Sequence, residues 1–165
     1  MVAEFVTGSI SAPGLFEALE SRIPKDHPLR GVYAYQRSPQ SVPEPAINLS
    51  ITHGVRASLT LQRTGDLAQA LRAASPDVSP ELAFADVAGH GYSVLRADAA
   101  ALTVEFVCLP RPIERSEGTD GGPLTYRVTY QTRLWRSGEA PRLTRVRLDG
   151  AVPLGSVNST FGSPR

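Results

Sequence analysis

The sequence predicts an α+β fold, with short helices in its first half and antiparallel meander strands in its second. Before residue 76, apolar residues recur at helical spacing in short segments bounded by Pro, Gly and Asp. After residue 80 they alternate with polar ones in segments bounded by Gly, Asp and Pro. With 165 residues, 41% of them hydrophobic, the chain has material for one domain with a modest core.

Residues 2–10 alternate loosely between apolar and small side chains and stop at Ala12-Pro13-Gly14, which reads as a strand and a tight turn. Leu15, Leu19 and Ile23 fall at i, i+4 and i+8, so a helix is expected over 15–23, capped by Ser11 or the turn residues and ended by Pro24. Residues 24–45 hold Pro24, Pro28, Pro39, Pro43 and Pro45, a density that argues against regular structure and for an exposed excursion. In the next block Ile47, Ile51 and Val55 have helical spacing while Leu59 and Leu61 alternate; the reading adopted is a helix over 47–62. Asp66 suits the N-cap of a helix over 67–74, which Ser75-Pro76 closes.

Strands are expected over 81–87, 92–97 and 102–109, with turns at Ala88-Gly89-His90-Gly91 and Asp98-Ala99-Ala100. Residues 111–123, with Asp120-Gly121-Gly122-Pro123, read as an exposed connection. Alternation through Tyr126, Val128, Tyr130, Thr132 and Leu134 gives a strand over 124–136. Leu143, Val146 and Leu148 give another over 142–148, with the loop of a hairpin at 137–141. Residues 151–165 are small, polar and rich in Pro and Gly, and are expected to form a disordered tail.

A formal net charge of +1 provides no long-range field to gather nucleic acid or an anionic membrane, although charge can still be segregated locally, so global charge is silent about partners; neither nucleic acid nor a membrane is expected as one. No stretch approaches the roughly 20 apolar residues of a membrane span, and the opening residues lack the pattern of a secretory signal. The chain is strand-like from its second residue, as though it began in the middle of a domain. Cys108 is the only cysteine, which excludes an intrachain disulfide and a cysteine-rich zinc cluster. In the apolar run 104–109 it reads as a buried small hydrophobe.

The histidines, His27, His53 and His90, lie in three separate segments with no His-x-x-x-His pair, and each alone reads as a surface or supporting residue. Serines at Ser9, Ser11 and Ser50 are not set in a Gly-x-Ser-x-Gly elbow. Gly65-Asp66 would open the Gly-Asp-x-His pattern of metallophosphatases, but Ala68 stands where the histidine is needed. The hairpin carries Arg127, Arg133, Arg136, Arg142, Arg145 and Arg147, interleaved with Tyr126, Tyr130 and Trp135. Single-stranded nucleic acid uses such a surface, although a chain whose only lysine is Lys25 places arginine on any solvated strand face, and that reading carries more weight.

Two stretches then point to a family. EFVTGSISAPG (4–14) resembles the strand and turn that follow the last metal-binding Gly-Asp-x-His segment of alkaline phosphatase D (PhoD-like) metallophosphatases. Residues 79–107 resemble that family's Asn-Pro-His-aromatic stretch and the strands after it, with Pro80, Phe84, Gly91, Tyr92, Leu102 and Phe106 in register. LTYRVTYQTRLW looks like its final strand, so the resemblance covers roughly residues 2–150, and 45–75 looks like an insertion of one branch. Glu81-Leu82 departs from the usual His-hydrophobic pair after Pro80.

The resemblance implies the C-terminal part of a four-layer metallophosphoesterase-like sandwich, in which two mixed sheets are flanked by helices. It implies hydrolysis of phosphate monoesters or diesters with bound calcium and iron, in a bacterial protein commonly periplasmic or secreted. The ligand-bearing motifs of the family lie upstream of the matched stretch, so no catalytic residue and no metal ligand carries over to this chain. The implied partners are a missing N-terminal catalytic part and a phosphate-ester substrate. Asn48, His53 and Arg56 form a polar trio in which His53 and Arg56 share an expected helix face; they are candidates to contact phosphate or a supporting carboxylate, or to brace the insertion. His90 is a further candidate, more naturally a turn residue packed on a strand end. The alternative to a phosphatase segment is a non-catalytic binding or sheet-completing module using the hairpin 124–148.

Overall fold

The computed structural model describes residues 3–111, 117, 123–135, 137–139 and 141–157. These divide into two compact units, a helical one from 13–88 with 153–157, and a sheet unit from 3–12 with the described residues of 89–152.

The helical unit begins with α1 (Leu15–Arg22), whose first turn is closed by Glu17 accepting the Gly14 N–H at 2.9 Å. The cap is therefore Gly14, one residue before the helix, and not Ser11. The Pro-rich segment is more ordered than its composition suggests. Its prolines flank a short helix α2 (Arg30–Tyr33), and Tyr33, Ala34 and Tyr35 are buried. Tyr35 and Glu44 then exchange two backbone hydrogen bonds, at 2.9 and 2.7 Å. Regular structure survives because residues 29–37 contain no proline.

The helix expected over 47–62 is two helices, α3 (Ala46–His53) and α4 (Val55–Thr64), separated by Gly54 at φ +95°. Glycine adopts that conformation without the steric cost of a side chain, so the chain changes direction there. Gly65 ends α4 in the left-handed region, and Asp66 caps α5 (Leu67–Arg72) by accepting the Ala68 and Gln69 N–H groups. Bonding to the Gln69 amide, with help from Ala68, holds the Asp66 carboxyl below its usual range. Tyr35, Ala46, Leu49, Ala57, Leu61 and Ala70 form the core of this unit, with Leu154 packed against it.

Two further expectations fail in this unit. Residues 81–87 form no strand; they make one isolated bridge, Phe84 to Val157, because Asp86 and the Val87 amide are engaged by Asn48. The expected disordered tail is ordered over 153–157, where Ser156 is buried and accepts the Ala85 N–H on its carbonyl at 2.9 Å. The rest of that tail, 158–165, lies outside the described residues.

The sheet unit is an antiparallel meander of β1 (His90–Ala97), β2 (Ala101–Leu109), β3 (Tyr126–Arg133) and β4 (Leu143–Gly150), neighbours in sequence being neighbours in space. His90 and Gly91, read from sequence as turn residues, pair with Leu109 and Cys108 and open β1. Asp98 forms the first turn by accepting the Ala100 and Ala101 N–H groups at 2.7 and 2.9 Å. Val104, Tyr126, Val128, Tyr130 and Thr132 are buried on one face, set by the register Val104 to Tyr130 and Phe106 to Val128. Between β3 and β4 the register shifts at Thr129/Tyr130, the irregularity of a β-bulge. The strand expected over 2–10 makes no ladder in its described part, 3–10. It still lies against the sheet: Phe5 packs on Phe106, and the hydroxyls of Thr7 and Ser93 are 2.6 Å apart. Most of the expected connection 111–123 lies outside the described residues. Among the described residues no helix is long and apolar enough to cross a membrane.

Candidate functional site

Asn48 sits in α3 with no exposed surface. Its Nδ2 donates to Asp86 Oδ1 and Ser156 Oγ, both at 3.1 Å, and its Oδ1 accepts the Val87 N–H at 3.0 Å. Asp86 Oδ1 also accepts the Ala88 N–H at 3.0 Å. One turn on, the Thr52 hydroxyl lies 2.8 Å from the Asn48 carbonyl oxygen and 2.6 Å from that of Gly155. Both amide donors and the acceptor of Asn48 are thus engaged, so this side chain ties α3 to the 84–88 and 153–157 segments and has no donor left for a ligand.

His53 ends α3, and its carbonyl accepts the Ser75 N–H at 3.1 Å. His53 is 7% exposed, and its Nε2 has no hydrogen-bond partner among the described residues. Burial pushes its pKa below the ordinary histidine value, against a smaller opposite effect of a bond to the Val157 backbone. The folded state therefore favours the neutral ring, while the unfolded chain takes up a proton around pH 6.5. Stability from this site is fully present above about pH 6.5 and declines as the pH falls below it. Urea unfolding between pH 8 and pH 5 is expected to show this loss, and His53→Asn is expected to flatten the pH dependence at a cost of about 1 kcal/mol at pH 8.

Arg56 is exposed in the first turn of α4. Because Gly54 intervenes, His53 and Arg56 lie on separate helices, one buried and one exposed, and do not share the face that their spacing suggested. His90 is buried at the start of β1 and belongs to the sheet unit. Asn48, His53 and Arg56 are therefore not one site.

What the helical unit does form is an open groove of about 550 Å³ lined by Arg56, Leu59, Thr60, Arg63 and Ala73. The i, i+4, i+7 spacing of Arg56, Thr60 and Arg63 on α4 was present in the sequence as the signal for it.

In the sheet unit the arginines and aromatics of the hairpin separate. Tyr126 and Tyr130 are buried on one face, while Arg127 and Arg133 alternate to the other. Arg127 lies 3.7 Å from Glu105, and Arg147 pairs with Asp149 at 2.5 Å. Burial raises the pKa of Tyr130, and nearby Arg145 opposes the shift. Stacked bases need exposed rings beside cations, and these two tyrosines do not provide them; Arg136 lies outside the described residues.

Among the described residues no group of three or more His, Cys, Asp or Glu side chains is placed to hold a metal ion. His27 is a loop residue whose Nδ1 accepts the Leu29 N–H at 3.2 Å. The described residues do not fit the calcium and iron that the resembled family implies. Compared with known families, curated proteins and solved structures, the chain matches none.

Proposed function

We propose that this chain is the C-terminal, non-catalytic segment of a metal-dependent phosphatase or phosphodiesterase similar to alkaline phosphatase D, working only with a catalytic part that brings the metal ligands. One observation carries the reading: the two stretches that resemble that family, far apart in sequence, meet in the sheet unit. Phe5 of the first lies 6.4 Å, centroid to centroid, from Phe106 of the second, and Thr7 bonds Ser93. Gly91 and Tyr92 fall in β1, Leu102 and Phe106 in β2, and the stretch resembling the final strand spans β3. In this reading the sheet unit is the margin of one sheet in a four-layer sandwich, and the hydrolytic chemistry belongs to residues outside this chain.

The isolated chain, supplied with calcium and iron at alkaline pH, is expected to cleave p-nitrophenyl phosphate and its bis-ester no faster than the denatured chain. A phosphatase of that family, cut before its own matching strands, is expected to regain solubility and activity when coexpressed with this chain. Turnover by this chain alone, or absence of rescue by a chain shown to be folded, would count against the reading.

A further inference from the structure

Four arginines among the described residues pair with an acid, and the two of α4 do not. Arg30 pairs with Glu20, Arg37 with Glu44, Arg127 with Glu105 and Arg147 with Asp149. Arg56 and Arg63 have no ion pair among the described residues, and α4, VRASLTLQRT, contains no carboxylate. Seven residues apart on one helix, their Cα atoms are separated by about 10 Å along the axis and lie on the same side. Thr60 stands between them, and its hydroxyl has no hydrogen-bond partner among the described residues. Leu59, 47% exposed, and Ala73 add apolar surface to the same groove.

A guanidinium without a protein carboxylate keeps its paired N–H donors available for an external oxyanion, and two of them along one wall of a groove suit a doubly charged head. The volume, about 550 Å³, is in the range of small-molecule sites, which is roughly 300–1,000 Å³. It exceeds what a bare inorganic anion fills, and Leu59 supplies an apolar contact for the remainder.

We infer that the groove between α4 and the end of α5 binds a small amphiphilic anion, a doubly charged oxyanion head on an apolar body. Arg56 and Arg63 clasp the head with Thr60 between them, and Leu59 and Ala73 contact the body. The inference rests on the helical unit alone and stands or falls separately from the phosphatase reading.

Calorimetric titration of the full 165-residue chain at pH 8 and low salt tests it. Phenylphosphonate, which carries no hydrolysable ester, is the main probe, with inorganic phosphate and benzoate as the other two arms. Phenylphosphonate is expected to bind at least tenfold more tightly than either. Arg56→Gln and Arg63→Gln are each expected to weaken it at least tenfold, and Thr60→Val about threefold, while Arg96→Gln in β1 leaves it unchanged. Arg56→Lys, which keeps the charge and loses the fork, is expected to fall between wild type and Arg56→Gln, and supplies a reading should a Gln variant misfold. Equal binding of phosphate and phenylphosphonate would overturn the apolar contact, and equal binding of benzoate would overturn the preference for a doubly charged head. No binding, or binding indifferent to both arginine variants, would overturn the site.

Discussion

Asn48→Leu is expected to destabilise the helical unit by about 3–5 kcal/mol. Leucine keeps the branched skeleton of asparagine but is bulkier, and it removes two donors and one acceptor at a site with no solvent exposure. What remains is the Val87 N–H and the Ser156 hydroxyl, each having lost its bond to Asn48, and the Asp86 carboxylate, which keeps the Ala88 N–H but loses that of Asn48. Ser156→Ala removes only one of these contacts and is expected to cost about 1 kcal/mol. Amide exchange over α3 and α4 is the suitable measurement, because Trp135 lies in the sheet unit and its fluorescence reports on that part. A loss below about 1 kcal/mol for Asn48→Leu would mean the side chain is not a brace, and would return Asn48 to the list of residues available to a ligand.

The same residue shows where sequence reading stops. Strands β1 to β4 were legible because alternation and turn residues are local: Tyr126, Val128, Tyr130 and Thr132 mark one face, and Asp98 marks a turn. Helices α1 and α5 were legible for the same reason, Asp66 announcing α5 through a cap that involves only its own neighbours. Residues 81–87 have strand composition, yet Asp86 and Val87 are claimed by an asparagine 38 and 39 positions earlier, which no local pattern reports. The Pro-rich segment hid α2 because proline density was averaged over 24–45, whereas the buried residues 33–35 lie in its proline-free middle.

For the candidate residues the deciding feature was Gly54. A helix continuing through it would have aligned His53 with Arg56; the positive φ there turns the chain and leaves one inside and one outside. The groove follows from the spacing of Arg56 to Thr60 and Arg63 downstream on its own helix, a pattern that the nearer pairing of Arg56 with His53 obscures. Composition likewise misjudged residues 153–157. Small and polar residues make a disordered tail when exposed, but here their smallness is what lets them pack closely against α3.

Gly155 makes that packing testable. It has φ +70°, and a Cβ placed on it would stand 2.5 Å from Leu49 Cα and 2.8 Å from Leu49 N. Those atoms belong to the backbone of α3, so no side chain can rotate away; either the helix moves or the 153–157 segment leaves. Gly155→Ala is expected to cost about 3 kcal/mol or more and to speed amide exchange in α3. If the segment leaves, the contacts of Ser156 with Asn48 and Ala85, and of Gly155 with Thr52, break together. The double variant Asn48→Leu/Gly155→Ala is then expected to lose clearly less stability than the two single losses added, because the second change removes contacts the first has already broken. Full additivity would place the two residues in separate structural ties, and a mild Gly155→Ala would mean that α3 yields more readily than its fully buried Leu49 suggests.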